Sequence, residues 1–144
     1  MTYYNAFSED CSTALRKVTR TVTRRFDKEL AHTGIRSTQF TVLVLISKCE
    51  ALTMTEMANH LAMDRTTLTR NIFPLLKNGY IERAKLDDRR VRAYRLTKYG
   101  KEAVKSLGAV VDGFQKRVKH EFGEMSYSEL MESLMTIMAI VSTL

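Results

Sequence analysis

The chain has 144 residues, 44% of them hydrophobic and 27% charged, so it can bury a core, fits one domain in length and lies outside the composition of disordered chains. Its 23 Lys+Arg against 16 Asp+Glu leave a formal charge of +7, an excess that points to a polyanionic partner, either nucleic acid or an acidic membrane surface. Two cysteines, Cys11 and Cys49, exclude a disulfide framework and a Cys-based zinc cluster, and His32, His60 and His120 are scattered without metal-ligand spacing, so no metal or cofactor is expected. The start MTYYNAFSED lacks the basic n-region and apolar run of a signal peptide. The longest uncharged runs, 37–47 and 133–144, hold 11 and 12 residues against the ~20 of a membrane span. A reducing cytoplasm is the expected location.

Ser8 is predicted to cap a first helix with Glu9 and Asp10 in its opening turn, where acids suit the helix dipole. Cys11, Leu15, Val18, Val22, Phe26 and Leu30 recur at three- and four-residue steps on one face; Arg16, Lys17, Arg20, Arg24, Arg25 and Lys28 occupy the other. Gly34 should end it. Ser37 is predicted to cap a second helix whose Phe40, Leu43, Val44 and Ile46 are dense enough for burial on most sides. Thr53-Met54-Thr55-Glu56 has capping-box spacing and opens a short helix, 54–61, burying Met57, Ala58 and Leu61. Asp64 then caps a helix over 65–78, closed by Gly79, with Leu68, Ile72, Leu75 and Leu76 inward. Two helices around a turn of about three residues form a helix-turn-helix, with small Ala58 and Ala62 placed for close approach. Pro74 inside the second helix removes an amide donor and is expected to kink it.

Tyr80–Lys85 and Val91–Leu96, around the turn Asp87-Asp88-Arg89-Arg90, read as a β-hairpin. Thr97 caps a long helix carrying Ala103, Leu107, Val110, Phe114, Val118 and Phe122, and Gly123 breaks it. Ser126-Tyr127-Ser128-Glu129 has the spacing of a second capping box. Leu130, Leu134, Ile137, Val141 and Leu144 follow at heptad steps, widened by Met131, Met135 and Met138. From the residues alone this stripe is either intramolecular core or a dimer seam. The eight methionines read mainly as core filler.

Charge is unevenly placed. Residues 65–101 hold 11 Lys+Arg and 3 Asp+Glu, a net +8. That excess falls on the second helix of the pair and the hairpin, the elements a winged helix-turn-helix presents to DNA, whereas a merely solvated face has no reason to coincide with them. Arg65, Thr66, Thr67, Thr69, Arg70 and Asn71 lie off the apolar face near the helix start, where Arg suits guanine, Asn adenine, and Thr a thymine methyl or phosphate. Arg89 and Arg90 at the hairpin tip suit an adjacent minor groove, and Ser37 and Thr38 suit a phosphate.

Gly34-Ile35-Arg36-Ser37-Thr38-Gln39-Phe40, Leu61 to Asn71, Pro74-Leu75, Gly79, Asp88-Arg89-Arg90 and Leu96-Thr97-Lys98-Tyr99-Gly100 together resemble the MarR family of winged-helix transcriptional regulators over most of the chain. The wing pattern Asp-x-Arg followed six residues later by Leu-Thr, matched by Asp88, Arg90, Leu96 and Thr97, is the most specific part. The resemblance implies a mainly α fold with a small β-hairpin wing and one domain over 1–144. Within it, 8–34 and 98–144 would be dimerisation helices and 36–97 a DNA-binding lobe, with a helix-turn-helix at 54–78 and a wing at 80–97. It implies a homodimer with Leu15, Phe114, Leu130, Leu134, Ile137 and Val141 at the interface, Arg90 in the minor groove with Asp88 bracing the wing, and 65–71 in the major groove. It also implies a pocket between the dimer helices and the lobe, which in many relatives takes small aromatic acids or phenols. A repressor relieved by such a ligand is the resulting expectation.

Cys11 falls close to the oxidised cysteine of the peroxide-sensing subgroup, but no tyrosines stand around Phe26 or Phe40 as that subgroup has. It also lies on an apolar stripe, where cysteine packs as a small hydrophobe, so packing and redox sensing are both open. A winged-helix protein- or RNA-interaction module would leave the recognition face acidic or apolar, unlike the +8 here. An enzyme would need a nucleophile with a base, clustered carboxylates or metal ligands, and no recognisable spacing of these occurs.

Overall fold

The computed structural model describes residues 10–85 and 92–143. It divides into two compact units, Met1–Val110 and Val111–Leu144. Helix α1 (Cys11–Leu30) is capped by Asp10 rather than Ser8. The Asp10 carboxylate accepts from the amides of Ser12 and Thr13 at 3.3 and 2.9 Å and from the Thr13 hydroxyl at 2.6 Å, a set of bonds that holds it below the usual carboxylate range. Ser8 and Glu9 lie outside the described residues. A single 3₁₀ turn, Ala31–Thr33, follows, and Gly34 takes φ +72° to stop the run.

Helix α2 (Ser37–Ser47) begins one residue before the predicted cap's helix would. Arg36 holds the cap position, and Gln39 Oε1 accepts from its N–H at 2.9 Å. Ser37 is therefore the first helical residue, and its N–H donates to Asp27 Oδ1 of α1 at 2.7 Å. A helix end that lacks a capping side chain of its own has been satisfied from a neighbouring helix. Phe40, Val42, Leu43 and Ile46 are buried.

The capping box at Thr53 forms as predicted. Thr53 N–H donates to Glu56 Oε2 at 2.8 Å and Glu56 N–H to Thr53 Oγ1 at 3.2 Å. Helix α3 (Met54–Leu61) buries Met57, with Ala58 and Leu61 half-buried. Ala62 is not at a helix crossing: it is the exposed left-handed cap of α3, at φ +48°. The three-residue turn requires such a reversal, and alanine bears its strain. Helix α4 (Arg65–Lys77) starts at Asp64, whose carboxylate accepts from Thr67 N–H at 2.9 Å, and buries Leu68, Ile72 and Leu75. It continues through Pro74, whose carbonyl accepts from Asn78 N–H at 2.9 Å, so the proline removes one donor without ending the helix.

Two residues the sequence left as loop, Leu52–Thr53, form strand β1. With β2 (Ile81–Ala84) and β3 (Ala93–Leu96) they make a three-stranded antiparallel sheet in the order β1-β3-β2, in place of an isolated hairpin. Leu52 pairs with Tyr94, and Glu82 with Arg95, whose side chains meet at 2.7 Å. The turn 86–91, with Asp88, Arg89 and Arg90, lies outside the described residues. The sheet, α2, α3 and α4 share a core of Leu43, Ile46, Leu52, Met57, Leu68, Ile72, Ile81 and Tyr94, each large apolar member worth about 1.5–3 kcal/mol of transfer free energy.

Thr97 caps α5 (Lys98–Phe122), accepting from Gly100 N–H at 3.0 Å. Helix α6 (Glu124–Val141) starts directly after Gly123, at φ +88°. Ser126 is thus inside its first turn, and the capping box predicted at 126–129 does not exist; the glycine both breaks one helix and opens the next. No residue of α6 is buried. Among the described residues no helix is long and apolar enough to cross a membrane.

Candidate nucleic-acid interface

The site is built on α4. Its buried Leu68, Ile72 and Leu75 fix the helix rotation, so the intervening Arg65, Thr66, Thr67, Thr69 and Arg70 stand exposed. The Asp64 cap fixes where the helix begins. Its carboxylate also accepts from the Thr67 hydroxyl at 2.6 Å, the main reason its pKa is held below the usual 3.8. The cap satisfies amides that would otherwise face the ligand unpaired.

Hydrogen bonding separates the six predicted contact residues of this helix into two groups. Thr67 is bound to Asp64, and the Thr69 hydroxyl donates to the Arg65 carbonyl at 2.7 Å. Asn71, half-buried, donates from Nδ2 to the Thr67 carbonyl at 2.9 Å, while its Oδ1 accepts from the Thr38 hydroxyl of α2 at 2.8 Å. Among the described residues, Arg65, Thr66 and Arg70 make no side-chain hydrogen bond. They keep their full capacity for base edges or phosphates.

Thr38 and Asn71 are therefore brought together, but as partners of each other across α2 and α4. Ser37 is 8% exposed, its amide is occupied by Asp27, and its Oγ is buried without a hydrogen-bond partner. Asp27 is the residue the sequence reading missed. It reaches ten positions along the chain, and no local spacing signals a cap supplied from another helix.

The sheet edge adds cations. Arg83 and Arg92 join Arg65, Thr69, Met54 and the 67%-exposed Phe73 around an open groove of about 560 Å³ between α4 and the strands. Among the described residues, no group of three or more His, Cys, Asp or Glu side chains is placed to hold a metal ion. Cys11 and Cys49 are both free and exposed; Cys11 opens α1 and is not packed in this protomer. Of the residues assigned to a dimer seam, Phe114 is buried, Leu15, Leu134 and Ile137 are half-buried, and Leu130 and Val141 are exposed.

Comparison with known proteins agrees with this geometry. The family model described as "MarR family" matches residues 35–91, which run from the start of α2 to the end of the wing turn. The HTH-type transcriptional regulator YwoH of Bacillus subtilis (strain 168) is 24% identical over 103 residues, covering 72% of this chain and 75% of that protein. Among solved structures, the M. tuberculosis transcriptional regulator MosR in complex with DNA is similar at TM-score 0.84 and 25% identity, over 94% of this chain and 98% of that one. A cysteine-to-serine mutant of MarR from E. coli, complexed with operator DNA, has the same fold at TM-score 0.84 and 21% identity, over 95% and 99% of the two chains.

Proposed function

Because the chain belongs to the MarR family of winged helix-turn-helix transcriptional regulators, we propose that it acts as a homodimeric repressor on an inverted-repeat operator and is released by a small aromatic ligand. The DNA-binding regulator of this family needs no catalytic group. Lys and Arg neutralise phosphates for affinity, and a few base-edge contacts supply sequence discrimination.

The observation that carries the reading is the coincidence of charge and geometry. The net +8 of residues 65–101 falls on α4 and the wing strands, where Arg65, Thr66 and Arg70 project with unspent hydrogen-bonding capacity. Relatives of the same fold, MosR and MarR, are held in crystals with DNA. The dimer is supported by α6, which leaves Met135, Met138 and the 63%-exposed Val141 in solvent. A surface of that kind on a regulator is a self-association face. For the ligand, the groove lined by Arg65, Arg83, Arg92 and Phe73 has the cations and the aromatic face an aromatic acid requires, on the DNA-binding side.

Selection of duplexes from a random pool by the purified protein at near-physiological salt tests the reading. The expected product is an inverted repeat with half-sites about one helical turn apart. Arg70→Ala should then relax preference at one position per half-site, at a cost of roughly 1–3 kcal/mol. Recovery of no consensus, with affinity that collapses as salt rises, would leave only non-specific electrostatics and remove the regulator reading.

A further inference from the structure

Helix α1 carries a second strongly basic surface that the recognition helix does not account for. At about 100° per residue, Lys17, Arg20, Arg24 and Lys28 fall within a wedge of roughly 80°, opposite the Leu15–Val22–Phe26 stripe. All four are exposed. The acids of the helix are engaged elsewhere: Asp10 caps the first turn, Asp27 holds the Ser37 amide, and Glu29 pairs with Arg25 at 2.8 Å. Among the described residues Arg20, Arg24 and Lys28 form no ion pair. The surface between Arg24, Arg25, Lys28 and Thr21 is slightly concave, enclosing about 230 Å³.

Its position gives it meaning. Asp27 lies beside the basic wedge on the helical wheel and bonds to the first amide of α2; the next residue, Thr38, bonds to Asn71 of α4. The wedge is thus connected to the recognition helix by two hydrogen bonds and flanks it within the same compact unit. From Arg20 to Lys28 it runs about 12 Å along the helix axis, the rise of roughly three or four phosphates on one DNA strand at ~3.4 Å each.

We propose that Arg20, Arg24 and Lys28 of α1 form a flanking phosphodiester-binding surface that grips duplex DNA beyond the half-site read by α4, without reading its sequence. This rests on the DNA-binding reading above and extends its footprint outward. A surface of guanidinium and ammonium groups with no planar or apolar companion fits a backbone and not a base edge.

The test compares two operator duplexes, one ending at the outer edges of the half-sites and one extended by ten base pairs on each side. The unsubstituted protein should bind the longer duplex more tightly and with a steeper salt dependence. The Arg20→Gln/Arg24→Gln/Lys28→Gln variant should bind both alike, its log–log salt slope on the longer duplex lowered by about 2, on the order of 0.9 per lost phosphate contact and partner strand geometry. Arg20→Lys/Arg24→Lys, which keeps the charge, should restore the length dependence; base preferences should be the same in all three. Equal binding of both lengths by the unsubstituted protein overturns the proposal and leaves the operator reading intact. An equal loss on both lengths in the Gln variant overturns it too, since the residues then act within the core site. Length-independent DNA binding joined to Gln-sensitive binding of phosphatidylglycerol vesicles reassigns the wedge to a membrane surface. Failure of the unsubstituted protein to prefer any operator overturns the regulator reading itself, a result distinct from the others.

Discussion

Thr97 shows how one side chain can close two elements. Its hydroxyl donates to the Gly79 carbonyl at 2.6 Å and accepts from the Gly100 amide at 3.0 Å, so it finishes the turn after α4 and caps α5 together. Two residues on, Tyr99 stacks on Tyr80 with ring centroids 4.8 Å apart, and their hydroxyls lie 3.4 Å from each other, which with burial pushes Tyr80 up to about 12. Gly100 is obligatory for a steric reason, because a Cβ there would overlap the Tyr80 carbonyl. Thr97→Val keeps the shape and loses both bonds; it should lower unfolding free energy by about 1–2 kcal/mol, seen as a reduced urea midpoint at unchanged m-value. Gly100→Ala should lower the midpoint further, since a backbone carbonyl must move. A Thr97→Val midpoint equal to the parent's would show that the hydroxyl is not the joint described here.

At the scale of elements, α4 depends on an ionised cap. Bonds to the Thr67 hydroxyl and amide hold Asp64 below its ordinary 3.8, so the folded state binds its proton less readily than the unfolded chain. The stabilisation is then complete above about pH 4 and is lost as the pH falls through the lower folded value. Asp64→Asn keeps an acceptor that does not titrate, and its stability should vary less than the parent's between pH 5 and pH 2, followed by circular dichroism in urea; parallel curves would deny the cap this role. Such caps were legible because their signals are local: Thr53 with Glu56, Asp64 before an apolar run, Thr97 after Leu96. What escaped the sequence acts across distance. β1 is two residues long, too short for any periodicity, and exists only because β3 lies beside it. The Asp27 cap of α2 spans two helices, so Ser37 looked like the cap that it is not. At Ser126 the capping-box spacing was met by chance inside a helix already opened by Gly123. The site followed the same rule: which residues of α4 face outward was set by the period, but that Asn71 is committed to Thr38 depends on how α2 crosses α4.

At the scale of the whole molecule, the apolar face of α6 is the clearest unfinished surface. Met125, Met131, Met135, Met138, Ile140 and Val141 are all exposed on a helix with no buried residue. Met135→Glu/Val141→Glu should therefore give a monomer by sedimentation, with a native circular dichroism spectrum and weakened binding to an inverted repeat, because a half-site then loses its linked partner. A dimer that survives both substitutions would place the self-association face elsewhere. The heptad stripe announced this face in the sequence, but a stripe alone does not distinguish core from interface, and only its exposure in the protomer does.

The short strand β1 has a kinetic corollary. Leu52 and Thr53 pair with Tyr94 and Ala93, and Met54 N–H donates to the Arg92 carbonyl at 3.3 Å. The first helix of the helix-turn-helix thus grows directly out of the sheet that carries the wing. A hinge between the two would have to break main-chain pairing, so the lobe should leave DNA in one concerted departure, with no long-lived species attached by the wing alone. Residence time would then be set by the whole lobe at once, and weakening either end should shorten it as a single exponential.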